Sequence, residues 1–198
     1  MITENKVKEP IGCIDEGLVN DVGEPKPGFM CVEAAVCYAF KEEHGDAPKC
    51  VHSEIRDCMI SLNDALPNER KSTRAERLRK LAIAQLGTKN RFAVVKFNKL
   101  VNKLIVRVAE KYKYDPDALH DEPSMEDFLN WFDDVPKIKR KVVRELSEGL
   151  LEILIQMKTP GSEWLYLVEP EPVQQQFCRP CQTIAPAVQE QPQLLCVR

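Results

Sequence analysis

Residues Met30 to Glu42 read MCVEAAVCYAFKE, an apolar run interrupted by Glu33 and closed by His44-Gly45, and the pattern predicts a helix there. Ile55, Cys58, Met59 and Leu62 then recur at i, i+3, i+4 and i+7, one apolar face of a second helix. Thr73 and Glu76 have capping-box spacing and predict the start of a third, with Leu78, Leu81, Ala82 and Leu86 inward and Gly87 at its end. A fourth runs from about Arg91 to Lys113, with Phe92, Val95, Leu100, Leu104, Ile105 and Val108 on its inner face. Ser124 and Asp127 suit the start of a short fifth helix carrying Phe128, Trp131 and Phe132. Pro136 fits the first turn of a sixth, where Ile138, Val142, Leu146, Leu150, Ile153 and Met157 form a long stripe.

No stretch alternates as a strand should, so the pattern predicts a mainly α protein, a compact bundle of about six helices. Four of eight glycines and three prolines crowd residues 1–27 and Gly28, which reads as an irregular N-terminal segment. Residues 28–168 form the expected helical domain, within which Trp164 to Val168 reads as a short strand or a packed segment. Residues 169–198 hold five prolines and seven glutamines and read as a flexible tail.

Of the 198 residues 43% are hydrophobic, enough to bury a core, and no apolar run approaches the ~18 residues of a membrane helix. Met1 to Pro10 is charged and lacks the apolar region of a secretory signal. A cytoplasmic chain with its eight cysteines reduced is the expectation.

Four blocks stand out: Met30-Cys31-Val32-Glu33-Ala34, His44-Gly45-Asp46 with Cys50-Val51, Leu62-Asn63-Asp64, and Leu81-Ala82-Ile83-Ala84-Gln85-Leu86-Gly87. In these the chain resembles an uncharacterised group of bacterial and phage-encoded proteins, over roughly residues 28 to 90. The group has no assigned activity, so the resemblance implies a prokaryotic or phage origin and supplies no catalytic residues. Where members of the group continue into an Ala-rich tail, this chain has a Pro/Gln-rich one.

Charge changes the picture most between Arg70 and Lys113, where fourteen Lys and Arg meet only Glu76 and Glu110. That segment carries +12, against a net −3 for the chain. Lys96, Lys99, Lys103, Arg107 and Lys111 fall along one face of the fourth predicted helix, and the third adds Arg74 and Arg77. Surfaces of this kind bind phosphate backbones through counterion release. These seven residues are therefore the expected nucleic-acid-binding set, although charge opposite an apolar stripe is also what any surface helix presents. The Gln85-Leu86-Gly87-Thr88 turn between two helices has a faint likeness to a helix-turn-helix, but the second helix is too long for one. Lysines at 137, 139 and 141 with Arg140 crowd the sixth helix start, where they oppose the helix dipole and favour an anion.

Cysteine and histidine concentrate between Cys31 and Cys58, with Cys37, His44, Cys50 and His52 between them. Their spacing is not that of zinc knuckles, and no metal or cofactor is expected. Cys31 lies near the predicted start of a helix, and a helix start lowers a thiol pKa. Cys31 as nucleophile, with His44 or His52 as base and Glu33 or Asp46 orienting it, is the alternative to a binding role. Cys178-Arg-Pro-Cys181 lies in the Pro/Gln tail, away from any sheet, and reads as a tail feature rather than a redox motif. Phosphate-loop, dinucleotide, zincin and nucleophile-elbow motifs are missing. The sequence thus predicts a non-enzymatic accessory protein contacting a protein or nucleic acid through a basic helical face.

Overall fold

The computed structural model describes residues 2–90, 93–114 and 123–168. Seven α-helices lie among them: α1 (Glu4–Asp15), α2 (Val32–Ala39), α3 (Ser53–Asp64), α4 (Lys71–Ala84), α5 (Val94–Lys111), α6 (Met125–Asn130) and α7 (Pro136–Gln156). Tighter 3-10 turns cover Thr88–Asn90 and Pro160–Val168. The described residues hold one isolated bridge, between Gly23 and Met30, and no strand, so the mainly α expectation stands. No helix among them is long and apolar enough to cross a membrane. The predicted tail, with Cys178, Cys181 and Cys196, lies outside the described residues, as do Arg91 and Phe92.

Every residue of α2 except Tyr38 is buried, which makes this short helix the centre of the fold. α1 and α3 pack against it, α4 spans α1, α7 and the Pro160–Val168 segment, and α5 lies on α7. The main core joins Val32, Ala35, Ile55, Leu62, Leu78, Leu104, Phe128, Val142 and Leu150. A smaller one gathers Val7, Ile11, Val36, Ile83, Leu86 and Val168. Trp164 to Val168 is therefore a packed 3-10 segment and not a strand.

Two departures from the sequence reading concern helix starts. Residues 4–15 are not irregular, because Val7, Pro10, Ile11 and Ile14 are buried on one face of α1. Pro10 cannot donate a hydrogen bond to the preceding turn, but the burial of that face outweighs the loss. α4 begins at Lys71 with Arg70 as its N-cap and no side-chain cap, so Thr73 and Glu76 form no capping box. Elsewhere the local signals hold. Ser124 Oγ accepts from Asp127 N at 3.1 Å, and Pro136 opens α7. On the inner faces, Val95 is 84% exposed and Ile138 is exposed, whereas Phe97 fills the core.

Gly149 sets the approach of α5 to α7. A Cβ there would meet both terminal methyls of Leu104, at 2.9 Å from Cδ2. The missing side chain lets Leu104 seat against the α7 backbone, at the usual loss of helix propensity for glycine.

A buried charge cluster ties α4 to the rest. Arg74 is almost fully buried and donates to Leu18 O (3.2 Å) and Leu66 O (2.6 Å). Arg77 reaches Glu69 Oε2 at 2.6 Å, Leu62 O at 3.1 Å and Ser147 Oγ at 3.3 Å. Glu69 also lies 3.8 Å from Arg74. Removing one member of a buried charge group strands the others. Glu69→Ala is therefore expected to cost about 3–5 kcal/mol of stability in urea unfolding. A loss below ~1 kcal/mol, the range of exposed pairs, would show that the cluster contributes little.

Candidate functional site

The apolar side of α5, from Phe97 through Val101, Leu104, Ile105 and Val108, faces the core and turns the opposite side to solvent. Lys96, Lys99, Lys103 and Arg107 are all exposed there, and none has an ion pair among the described residues. They span roughly 16 Å at 1.5 Å per residue. No acid interrupts the helix before Glu110. Lys111 closes the row, but its ammonium is 2.8 Å from Glu145 of α7. Tyr112 donates to the same carboxylate at 2.6 Å. Glu145 loses solvation there, yet the hydrogen bonds from Lys111 and Tyr112 outweigh that loss and hold its pKa below the usual value.

Arg74 and Arg77 do not join this face. Both are held by Glu69: Arg74 is almost fully buried and bonded to the Leu18 and Leu66 carbonyls, and Arg77, partly buried, lines a separate cavity with Lys80 and Arg144. Helical spacing in α4 was compatible with either side. Glu69 and the turn before α4 decided it, because the Glu69 carboxylate meets both guanidinium groups.

The thiol alternative meets a different environment from the one its sequence suggests. Cys31 is the N-cap of α2 and its Sγ accepts from Ala34 N at 3.3 Å. Burial nevertheless pushes its pKa up to about 12, and the Ala34 N–H only partly offsets this. Desolvation thus wins over the helix start. His44 is exposed and its Nε2 donates to Gly23 O at 3.0 Å. The two residues line different cavities: Cys31 faces a small one beside Asp46 and Asn63, and His44 a wider groove beside Tyr38. His52 is the N-cap of α3, its Nδ1 accepting from Glu54 N at 3.3 Å, so it is held in a structural role. No group of three or more His, Cys, Asp or Glu among the described residues is placed to hold a metal ion.

The sequence suggested Glu33 only as an orienting residue for a thiol site and gave Gln85 no role, yet the two form the most unusual polar pair. Glu33 and Gln85 are both fully buried, and neither carboxylate oxygen of Glu33 nor either polar atom of Gln85 has a hydrogen bond of normal length. Burial raises the Glu33 pKa to about 8, against smaller opposing effects of the neighbouring Gln85 amide and of Arg56. The signal was present, since each is a lone polar residue inside an apolar run. Neither residue lines a described cavity that carries Cys31 or His44.

Comparison with protein-family models, with curated proteins and with solved structures returns no match.

Two outcomes follow from these environments. Among the five cysteines of the described residues only Cys13 and Cys50 are partly exposed, and since burial pushes Cys50 up to about 11, Cys13 is expected to alkylate first at pH 7.5 and Cys31 only as the protein unfolds. Mass-spectrometric footprinting checks this, and fast labelling of Cys31 in the native state would revive the thiol reading. For Glu33 the folded pKa lies above the unfolded value, so its contribution to stability is full at acid pH and falls as pH rises from about 4.5 toward 8. Glu33→Gln is expected to abolish that fall. The variant should gain on the wild type by up to ~1.4 kcal/mol per pH unit in urea midpoints taken across this window. A constant difference at every pH would show that Glu33 does not titrate there.

Proposed function

We propose that the protein is a non-enzymatic binding module whose α5 face docks on the phosphate backbone of a nucleic acid. The observation that carries this reading is the row of Lys96, Lys99, Lys103 and Arg107, exposed together and without an acidic partner among the described residues. Cations that fold stability does not use are free to displace counterions from a polyanion. The stripe itself carries no aromatic side chain, so it offers charge rather than base stacking. Contacts of this kind position a protein on phosphates and carry little sequence information. The net charge of −3 confines such binding to this face and disfavours wrapping of the whole molecule. An accessory role in a bacterium or phage rests on the four sequence blocks.

The test is a titration of the full chain, freed of copurified nucleic acid, against labelled duplex and single strands at several salt concentrations. Four phosphate contacts predict a slope of log affinity on log salt near −3.6 for duplex, from about −0.9 per contact. Lys99→Glu, Lys103→Glu and Arg107→Glu combined should lower the magnitude of that slope by about 3 and leave the circular dichroism unchanged. Unaltered affinity in the triple variant would refute the assignment. Absence of binding to either strand form at ~50 mM salt, where such contacts are strongest, would transfer the face to an acidic protein surface.

A further inference from the structure

A cavity of about 490 Å³ opens where the end of α3, the start of α4 and the start of α7 meet. Ala65, Leu66, Pro67 and Pro136 supply apolar wall, and Thr73 and Asn68 add polar side chains. Five charged residues also line it, and three of them are already engaged. Glu69 is held by Arg77 and Arg74. Asp133 is paired with Lys139. Arg70 and Arg140 remain, both exposed and neither with an ion pair among the described residues. The acids that would have neutralised them are spent on other cations, so the cavity keeps two free guanidinium groups.

We propose that this cavity binds a small organic phosphate, with its phosphate held by Arg70 and Arg140 and its organic part against Ala65, Leu66 and Pro67. Guanidinium groups present paired donors that match phosphate oxygens, and two of them suit a dianion. The volume falls in the range of small-molecule sites, and an inorganic ion alone would leave most of it unfilled. The lining carries three cations against two acids. Arg70 caps α4 and Pro136 opens α7, and neither helix has an acid in its first turn or a side-chain cap. The positive ends of the two helices add to the arginines, and the carboxylates beside them, Glu69 and Asp133, are each already paired with another cation. The cluster of Lys137, Arg140 and Lys141 at the α7 start, unfavourable on its own, becomes favourable once an anion sits beside it.

The experiment is calorimetric titration of the full chain with adenosine monophosphate and glycerol 3-phosphate, and with adenosine, glycerol, inorganic phosphate and sulfate for comparison. Saturable binding of the two organic phosphates, absent for adenosine and glycerol, is expected. Arg140→Gln and Arg70→Gln should each weaken it by about tenfold or more, as loss of a charged hydrogen-bonding partner does. Both side chains are exposed, so the fold should survive, and an unchanged melting temperature without ligand verifies this. The Lys99, Lys103 and Arg107 reversal on α5 should leave the binding unchanged, which separates this site from the polyanion face. Affinity that survives both arginine variants would overturn the proposal, as would equal responses to phosphate and sulfate that never saturate. Binding of adenosine monophosphate no tighter than inorganic phosphate would overturn the organic part. Binding of duplex DNA alone, weakened by Arg140→Gln, would make the cavity part of the polyanion surface and overturn it as well.

Discussion

Glu69 is shared by two arginines of α4, and the positions of three other parts of the fold depend on that sharing. Arg74 grips the carbonyls of Leu18 and Leu66, and Arg77 those of Leu62 and, through its hydroxyl, Ser147. The segment after α1, the end of α3 and the middle of α7 are thereby indexed to one helix. Buried charge of this kind is a weak source of net stability, because desolvation offsets most of the Coulomb gain. Its effect is on arrangement: a shifted α4 would leave two cations under the surface without acceptors. The same sharing bears on the α4–α7 cavity. Glu69, held by Arg74 and Arg77, is not available to neutralise Arg70 or Arg140.

The four sequence blocks acquire a structural meaning around α2. Met30 to Ala34 supplies the cap and first turn of that helix. Leu62-Asn63-Asp64 supplies the side chain that receives Val32 N and donates to Val19 O. Leu81 to Gly87 brings Gln85 beside Glu33 at the C-terminal end of α4. In the loop between, Cys50 O accepts from Lys89 N, next to the Thr88 hydroxyl that receives His52 N. These blocks therefore describe how a short helix is enclosed by polar clamps. Residues that look like a reactive set in the sequence, Cys31 and His52 above all, are helix caps in the fold.

Much of the fold was legible because helical periodicity is local. The stripes of α3 and α7, the Ser124 cap and the Pro136 start are set by residues within one or two turns of each other. α1 was not legible, since Pro10 and Gly12 read as breakers and only contact with α2 and α4 shows what Val7, Ile11 and Ile14 bury. The site divides in the same way. Lys96, Lys99, Lys103 and Arg107 follow from spacing on a strongly two-sided helix. The fates of Arg74 and Arg77 depend on Glu69, in a turn whose fold-back no spacing rule describes. The Cys31 thiol depends on how deeply α2 is covered, a property of the whole bundle.

Gly149 has a consequence that reaches the surface. With Leu104 seated against the α7 backbone, α5 rests closely on its neighbour at this point, and its inward side chains are buried. The outward lysines thus project from a helix that is already formed and packed. A ligand meeting it has only side-chain rotamers to freeze and no helix to fold, so the entropic penalty of association is confined to the tips of four long side chains.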